Sequence, residues 1–197
     1  GISLIGDLPY YLSHDSADVW ANPRSFKLGQ DCYPTSVSGV PPDYFSANGQ
    51  LWGHPVYDWE QLQEDGFVLW TERISHSLKL FDLLRIDHFR GLLAYWEVPA
   101  GATTAVRGSW VQVPSDSVFD ALSRRFPSMP FIAEDLGVIT EDVRRAMRRL
   151  GLPGMRVLIF GFDGDPRNPH LPINHPEDSV AYTGTHDTNT TKGWFVE

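Results

Sequence analysis

Short apolar runs recur along the chain, and Gly or polar residues follow each of them. The runs are rich in Leu, Ile, Val, Phe and Tyr, which is typical of buried strands that open into loops. They predict strands at about residues 2–6, 82–87, 130–134, 156–162 and 179–184.

Segments with helical spacing of apolar residues separate these runs. One helix is predicted from the apolar face formed by Phe67, Trp70, Ile74, Leu78 and Phe81. Another is predicted at about residues 116–126. The segment TEDVRRAMRRL predicts a third, with Thr140 placed as the N-cap and Gly151 at the left-handed closing position.

The order of these elements predicts an α/β fold, because alternating strands and helices form a parallel sheet with crossover helices. Residues 21–58 are rich in Gly, Pro, Asn, Asp and Ser, and we expect a long functional loop there. The chain begins within an apolar run, without Met, and its last residues follow a loop directly. We therefore expect a fragment of a longer protein, with too few strands to close a barrel.

Charge and composition exclude several classes of protein. The net charge of −9 argues against binding of nucleic acid, which requires a surplus of Lys and Arg on one face. No apolar run approaches the length of a membrane span. The single cysteine, Cys32, cannot form an internal disulfide, which fits a reducing compartment such as the cytoplasm.

Three acidic residues lie where apolar runs end: Asp87, Glu134 and Asp187. Active sites of parallel sheets and barrels lie at the carboxyl ends of strands, so these acids predict one site. Arg85 shares a strand face with Asp87 and would favour its ionised form. The apolar residues before Glu134 would raise its pKa toward that of a general acid. Such a pair can cleave a glycosidic bond through a covalent intermediate.

Other interpretations of these residues stay open at this point. A single strand-end acid can be a cap or part of a surface salt bridge. His186 beside Asp187, and His88 beside Asp87, are also compatible with a metal site. That reading is less favoured because the Gly and Asn around His186 disfavour the helix that such sites use.

Aromatic residues are frequent in the predicted loop of residues 21–58 and just after it. Their rings are either stacking platforms for the apolar faces of sugars or a hydrophobic cluster beneath the loop. These aromatic residues are Tyr44, Phe45, Trp52, Tyr57 and Trp59.

Long motifs resemble one family of enzymes. GDLPYYLSHDSADVWANP, VSGVPPDYFSANGQLWGHPVYDW, LRIDHFRG, IAEDLGVIT, LGLPGMRVL and YTGTHDTNTTKGWF resemble the 4-α-glucanotransferases known as amylomaltase or disproportionating enzyme. The resemblance runs from Gly1 to the last residues. It implies a (β/α)8 TIM barrel, present here as a partial barrel of about strands three to seven with a long loop insertion. It also implies transfer of α-1,4-glucan segments to an acceptor sugar, without an organic cofactor or a metal.

The resemblance also assigns roles to residues by motif match. It implies that Asp87 is the nucleophile, Glu134 the general acid/base and Asp187 the transition-state stabiliser. It implies that further residues contact glucose units, namely Arg85, His186, Asp7, Asp43, Tyr44, Trp52 and Phe160. Two alternatives to a transferase are an α-glucan hydrolase and a non-catalytic glucan-binding module.

Overall fold

The computed structural model describes residues 1–43 and 46–196. The chain divides into two compact units, Gly1–Pro130 and Phe131–Glu197. The first unit contains β1 (Ile5–Leu8), α1 (Ala17–Ala21), β2 (Ser36–Val40), β3 (Gln50–Pro55), α2 (Trp59–Glu64), α3 (Val68–Ser77), β4 (Leu83–Ile86), β5 (Ala94–Pro99), β6 (Ser109–Gln112) and α4 (Ser115–Arg125). The second contains β7 (Phe131–Ala133), α5 (Glu141–Leu150), β8 (Gly154–Val157), β9 (Ser179–Tyr182) and α6 (Thr191–Val196).

Parallel pairing of β1 with β4 organises the first unit. The register places Asp7 opposite Arg85 and Leu8 opposite Ile86. Leu8 and Ile86 are buried, whereas Asp7 is accessible where β1 ends. The carboxyl ends of both strands therefore open on the same side of this parallel pair. The prediction of parallel strands is confirmed here, although β1 begins three residues later than expected.

The same unit contains a four-stranded antiparallel sheet in the order β3-β2-β5-β6. The prediction of a loop over residues 21–58 is therefore wrong in part, because β2 and β3 both lie within it. Some of the Gly and Ser residues that indicated a loop belong to strands, namely Ser36, Ser38 and Gly39 in β2 and Gly53 in β3. A Cβ at Gly39 would lie 2.6 Å from the carbonyl oxygen of Gln50, so glycine permits the close approach of these strands.

Fully buried aromatic side chains form part of the core of this unit. The rings of Tyr10, Tyr57 and Trp70 have centroids between 5.5 and 5.6 Å apart. The Tyr57 hydroxyl donates to the Tyr10 carbonyl at 2.5 Å, and Arg73 donates to that hydroxyl at 3.2 Å. The predicted helix after residue 66 is α3, which begins after the left-handed Phe67 and ends before Leu78.

Parallel strands also organise the second unit, where Gly154 of β8 pairs with Ser179 of β9. The strand predicted over residues 156–162 is shorter, since a 3-10 helix replaces it from Leu158 to Gly161. Helix α5 begins after Thr140 and ends at Gly151, which has a φ of 65°. The Thr140 side chain makes no capping hydrogen bond within the described part of the chain, so only its position is as predicted.

An apolar cluster supports these two strands. Ile132, Met155, Val157 and Ile159 are buried together, and Val180 and Trp194 pack against them. Parallel strands combined with helices make the fold α/β. No helix within residues 1–43 and 46–196 combines the length and the apolar character needed to cross a membrane.

Candidate active site

Arg85 is the central charged group of the first unit. Its guanidinium lies within β4 and is almost fully buried, with 8% of the side chain exposed. Nη1 donates to both oxygens of Asp7, at 2.7 and 2.9 Å. Nη2 lies 2.8 Å from Oδ1 of Asp87, directly after the same strand. One buried cation therefore holds two carboxylates at the ends of neighbouring strands.

This arrangement follows from strand geometry. Asp7 faces Arg85 across the β1–β4 pair, and Asp87 lies two residues further along on the same face. The predicted contact between Arg85 and Asp87 is confirmed. The carboxylates of Asp7 and Asp87 are 39% and 40% exposed, so both are accessible from solvent while the arginine is not. Charge-assisted pairing of this kind fixes the orientation of both carboxylates.

His88 follows Asp87, and the sequence analysis considered it only as a possible metal ligand. Its backbone is left-handed, with a φ of 46°, which is uncommon for a residue other than glycine. Rings of Tyr10, Tyr11 and Trp52 surround the imidazole at centroid distances of 5.7, 5.9 and 5.0 Å. This turn directs the His88 ring into the aromatic cluster beside Asp87.

The imidazole of His88 is electrically neutral at physiological pH. The residue as a whole is half-buried, but its Nε2 atom has no accessible surface. Burial of the ring, with a smaller contribution from the charge of Arg90, lowers the pKa of His88 from 6.5 to about 4. Because the ring carries no charge, His88 can pack against aromatic rings without the cost of burying an ion.

Trp52 brings the antiparallel sheet to this strand end. Its ring meets the His88 ring edge to face, and its Nε1 donates to Oε1 of Gln50 at 3.1 Å. The side chain is half-buried, which leaves part of the indole accessible. Asp43 lies in the connection between β2 and β3, where its Oδ1 accepts from the Ser46 amide at 2.8 Å.

The remaining loop aromatics divide into two groups. Tyr57 and Trp59 are 1% and 6% exposed, so they are core residues and not stacking platforms. Tyr44, which was predicted to contact substrate, and Phe45 lie outside the described residues.

The second unit holds the other predicted acids. Glu134 follows β7, and its Oε1 accepts from the Leu136 amide at 2.6 Å. Asp187 lies in the loop after β9, where its amide donates to the Thr185 hydroxyl at 3.3 Å. His186 Nε2 is 3.4 Å from Oδ1 of Asp187, and both side chains are about two-thirds exposed or more. Glu134 thus lies directly after a strand, whereas Asp187 lies further along, in the loop that follows one.

Phe160 lies in the 3-10 helix after β8 and is 42% exposed. Its carbonyl accepts from Asn168 Nδ2 at 2.8 Å, and its ring meets the His170 ring edge to face. The accessible ring therefore rests on a fixed backbone. The part of the chain that the structure describes has no group of three or more His, Cys, Asp or Glu side chains placed to hold a metal ion.

Comparisons with known proteins agree with this arrangement. A family model described as 4-alpha-glucanotransferase matches residues 1–197. The 4-alpha-glucanotransferase of Aquifex aeolicus is 55% identical over 99% of this chain and 40% of its own length. The chloroplastic/amyloplastic 4-alpha-glucanotransferase of Solanum tuberosum is 50% identical over 99% of this chain and 34% of its own length.

Solved structures give the same result. The amylomaltase from Streptococcus agalactiae in complex with acarbose has a TM-score of 0.92 and 43% identity, and the match covers 100% of this chain and 40% of that one. The amylomaltase from Corynebacterium glutamicum, at 22% identity and a TM-score of 0.81, shares the fold. The chain spans about 40% of the length of the Aquifex aeolicus relative. With a family match along its whole length, this chain belongs to the 4-alpha-glucanotransferase family.

Proposed function

We propose that the protein containing this chain transfers α-1,4-glucan segments between malto-oligosaccharides or larger α-glucans. The observation that carries the proposal is the pairing of one buried guanidinium, Arg85, with the carboxylates of Asp7 and Asp87. In a member of this family, that pairing supplies an oriented carboxylate beside a fixed positive charge at a strand end. A carboxylate of this kind is suited to attack an anomeric carbon.

Asp87, Glu134 and Asp187 divide the catalytic work. The Asp87 carboxylate forms a bond to C1 of the donor sugar as the bond from C1 to the glycosidic oxygen breaks. Glu134 gives its proton to that departing oxygen. In the second half, Glu134 takes the proton of the acceptor 4-hydroxyl, whose oxygen displaces Asp87 from C1. Asp187 binds hydroxyls of the distorted sugar and stabilises the transition state.

Further residues hold the glucan around these acids. Arg85 and His186 line the subsite of the reacting sugar. Neighbouring glucose units contact Asp7, Asp43, Tyr44, Trp52 and Phe160. The accessible rings of Trp52 and Phe160 support this assignment, because apolar sugar faces stack on aromatic rings.

The architecture proposed for the chain is a partial (β/α)8 barrel of about strands three to seven, forming one catalytic domain over residues 1–197. Residues 21–58 form its substrate-binding region, which contains β2 and β3. Flanking parts of the parent protein would supply the remaining strands. The parallel pairs β1–β4 and β8–β9 and the greater length of the relatives support this proposal.

The donor and acceptor partners are α-1,4-linked glucans, and the expected location is the cytoplasm. The single cysteine fits a reducing compartment. Two plant relatives are described as chloroplastic/amyloplastic, so a plastid is the alternative location to test against the cytoplasm.

Maltotriose incubation tests the function in the full-length protein. Transfer produces a ladder of longer and shorter oligomers while the total concentration of reducing ends stays constant. A steady rise in reducing ends would instead identify an α-glucan hydrolase. An unchanged rate after exhaustive chelation is expected, and a loss restored by a divalent metal would favour the metal site.

Glu134→Gln tests whether the site is catalytic. This variant should lose transfer by several orders of magnitude while retaining glucan binding. Glu177→Gln is a matched control, because Glu177 is an exposed glutamate of the same unit. Equal behaviour of the two variants would point to a glucan-binding module and overturn the proposed reaction.

A further inference from the structure

Asp135, directly after Glu134, is a nearly buried carboxylate that the proposed reaction does not use. Its side chain is 4% exposed and that of Arg156 is 11% exposed. Oδ1 accepts from the Met155 amide at 2.7 Å. Arg156 Nη1 donates to Oδ2 at 3.0 Å and lies 3.3 Å from Oδ1. The carboxylate is therefore held by a backbone amide and a guanidinium, both from β8.

Gly154 makes room for this carboxylate. A Cβ at residue 154 would lie 2.6 Å from Oδ2 of Asp135 and 2.8 Å from Oδ1. Real Cβ atoms do not approach that closely, so any larger side chain would displace the carboxylate. The sequence Gly154–Met155–Arg156 thus provides a space, a donor and a counter-charge for one side chain.

This contact continues the connection between β7 and β8. The backbone of β7 joins β8 where the Ala133 amide donates to the Pro153 carbonyl at 2.9 Å. Two residues further along both segments, the Met155 amide donates to the Asp135 side chain. Glu134 therefore lies between two anchor points on the same neighbouring strand.

These anchors act on Glu134 through the backbone. The Ala133 amide is fixed on the Pro153 carbonyl on one side of Glu134, and the Asp135 side chain is fixed on the Met155 amide on the other. Glu134 itself accepts from the Leu136 amide at 2.6 Å. The backbone that carries Glu134 is consequently fixed on both sides, and its carboxyl group is tethered as well.

We propose that Asp135, held by Arg156 and the Met155 amide, is a positioning residue for Glu134. The inference rests on the proposed role of Glu134 as the general acid/base. Loss of the Asp135 anchor frees the backbone after Ala133 and shifts the Glu134 carboxyl away from the glycosidic oxygen. Displacement of a catalytic group by about 1 Å costs about 100-fold in rate.

The chemistry of the leaving group separates this role from a purely structural one. A sugar leaving group departs only with a proton from the general acid. Fluoride departs as a stable anion and needs little protonation. Misplacement of Glu134 therefore slows cleavage of maltotriose, but hardly slows formation of the glycosyl-enzyme from α-maltosyl fluoride.

The test uses Asp135→Asn in the full-length protein. kcat/KM for the donor reports the first half of the reaction, followed as glucose release from maltotriose and as fluoride release from α-maltosyl fluoride. We expect a decrease of about 10- to 100-fold for maltotriose and of less than about 3-fold for the fluoride. Asp178→Asn is the control, since Asp178 is an exposed aspartate lining the same cleft as Asp135.

Gly154→Ala is the second variant, used because Asp135→Asn leaves Arg156 without its counter-charge and can impair folding. The added methyl displaces the carboxylate but keeps both charges, and we expect the same selective loss. Equal losses on the two donors, or no loss on either in folded Asp135→Asn and Gly154→Ala, would overturn the positioning role.

Glu134→Gln separates failure of this inference from failure of the proposed function. It should lose activity on maltotriose and retain fluoride release. If Glu134→Gln shows that selectivity while the Asp135 and Gly154 variants do not, the positioning role fails alone. If Glu134→Gln cleaves maltotriose normally, the assignment of Glu134 fails first.

Discussion

Burial of His88 makes the stability of the protein depend on pH in a defined way. The folded protein lowers the pKa of this imidazole from 6.5 to about 4. Between these values the unfolded chain binds a proton that the folded protein rejects. The contribution of His88 to the free energy of unfolding is therefore fully present above pH 6.5, and it is lost as the pH falls toward 4.

The magnitude follows from the size of the change in pKa. One pKa unit corresponds to about 1.4 kcal/mol, so a decrease from 6.5 to about 4 corresponds to about 3 kcal/mol when fully expressed. Between pH 7 and pH 5 the loss from this group is about 2 kcal/mol. His88→Asn removes the titrating group, and asparagine tolerates the left-handed backbone at this position.

Urea unfolding of the full-length protein at pH 7 and pH 5 measures this contribution. The wild-type protein should lose about 2 kcal/mol more than His88→Asn between the two values. His76→Asn is the control, because His76 is exposed on α3 and should leave the pH dependence as it is in the wild type. The His88 ring resonance should stay at its neutral position down to pH 5.

Equal pH dependence in His88→Asn and the wild type would refute the reasoning. A His88 resonance that titrates near pH 6.5 would refute it independently. Either result would mean that water reaches the ring, and that the aromatic cluster beside Asp87 does not enclose it.

Substitutions at three other positions test the site and the sheet. Arg85→Lys replaces a forked guanidinium by a single ammonium group, which cannot pair with Asp7 and Asp87 at the same time, so the transfer rate of the folded variant should fall about 100-fold. An unchanged rate would show that this double pairing is not needed for transfer. Trp52→Ala should raise KM for maltotriose about 10-fold while Trp52→Phe retains most affinity, and equal KM values in all three proteins would exclude stacking. Gly39→Ala should cost about 1–3 kcal/mol in urea unfolding, because the new Cβ meets the Gln50 carbonyl; unaltered stability would contradict the close strand approach.

The sequence was sufficient to predict the parallel strands and the contact between Arg85 and Asp87. Apolar runs identify buried strands, and a spacing of two residues places side chains on one face. These signals depend on local order alone. The three strand-end acids were located by the same reasoning.

The strands β2 and β3 were beyond this reasoning because neither contains a continuous apolar run. In β2, the burial of Gly39 and Ser38 depends on the neighbouring strand. Gly39 allows the close approach of the Gln50 carbonyl, and the Ser38 hydroxyl accepts from the His54 amide at 3.1 Å. Both partners lie far away in the sequence. Residue composition alone therefore indicated a loop.

The aromatic environment of His88 could not be predicted for a related reason. Its role depends on a left-handed turn and on rings contributed by Tyr10, Tyr11 and Trp52, which no local pattern brings together. Asp135 is similar, because its donors lie 20 and 21 residues further along the chain. The position of a side chain that is fixed by distant residues can be determined only from the folded structure.

Trapping of the covalent intermediate tests the central claim most directly. Glu134→Gln protein treated with α-maltosyl fluoride should form the glycosyl-enzyme, since fluoride leaves without the acid, and should release it slowly because the general base is absent. Mass spectrometry of the digested protein should then find one added maltosyl group on the peptide that contains Asp87. Absence of the adduct, or its location on another peptide, would contradict the assignment of Asp87 as the nucleophile.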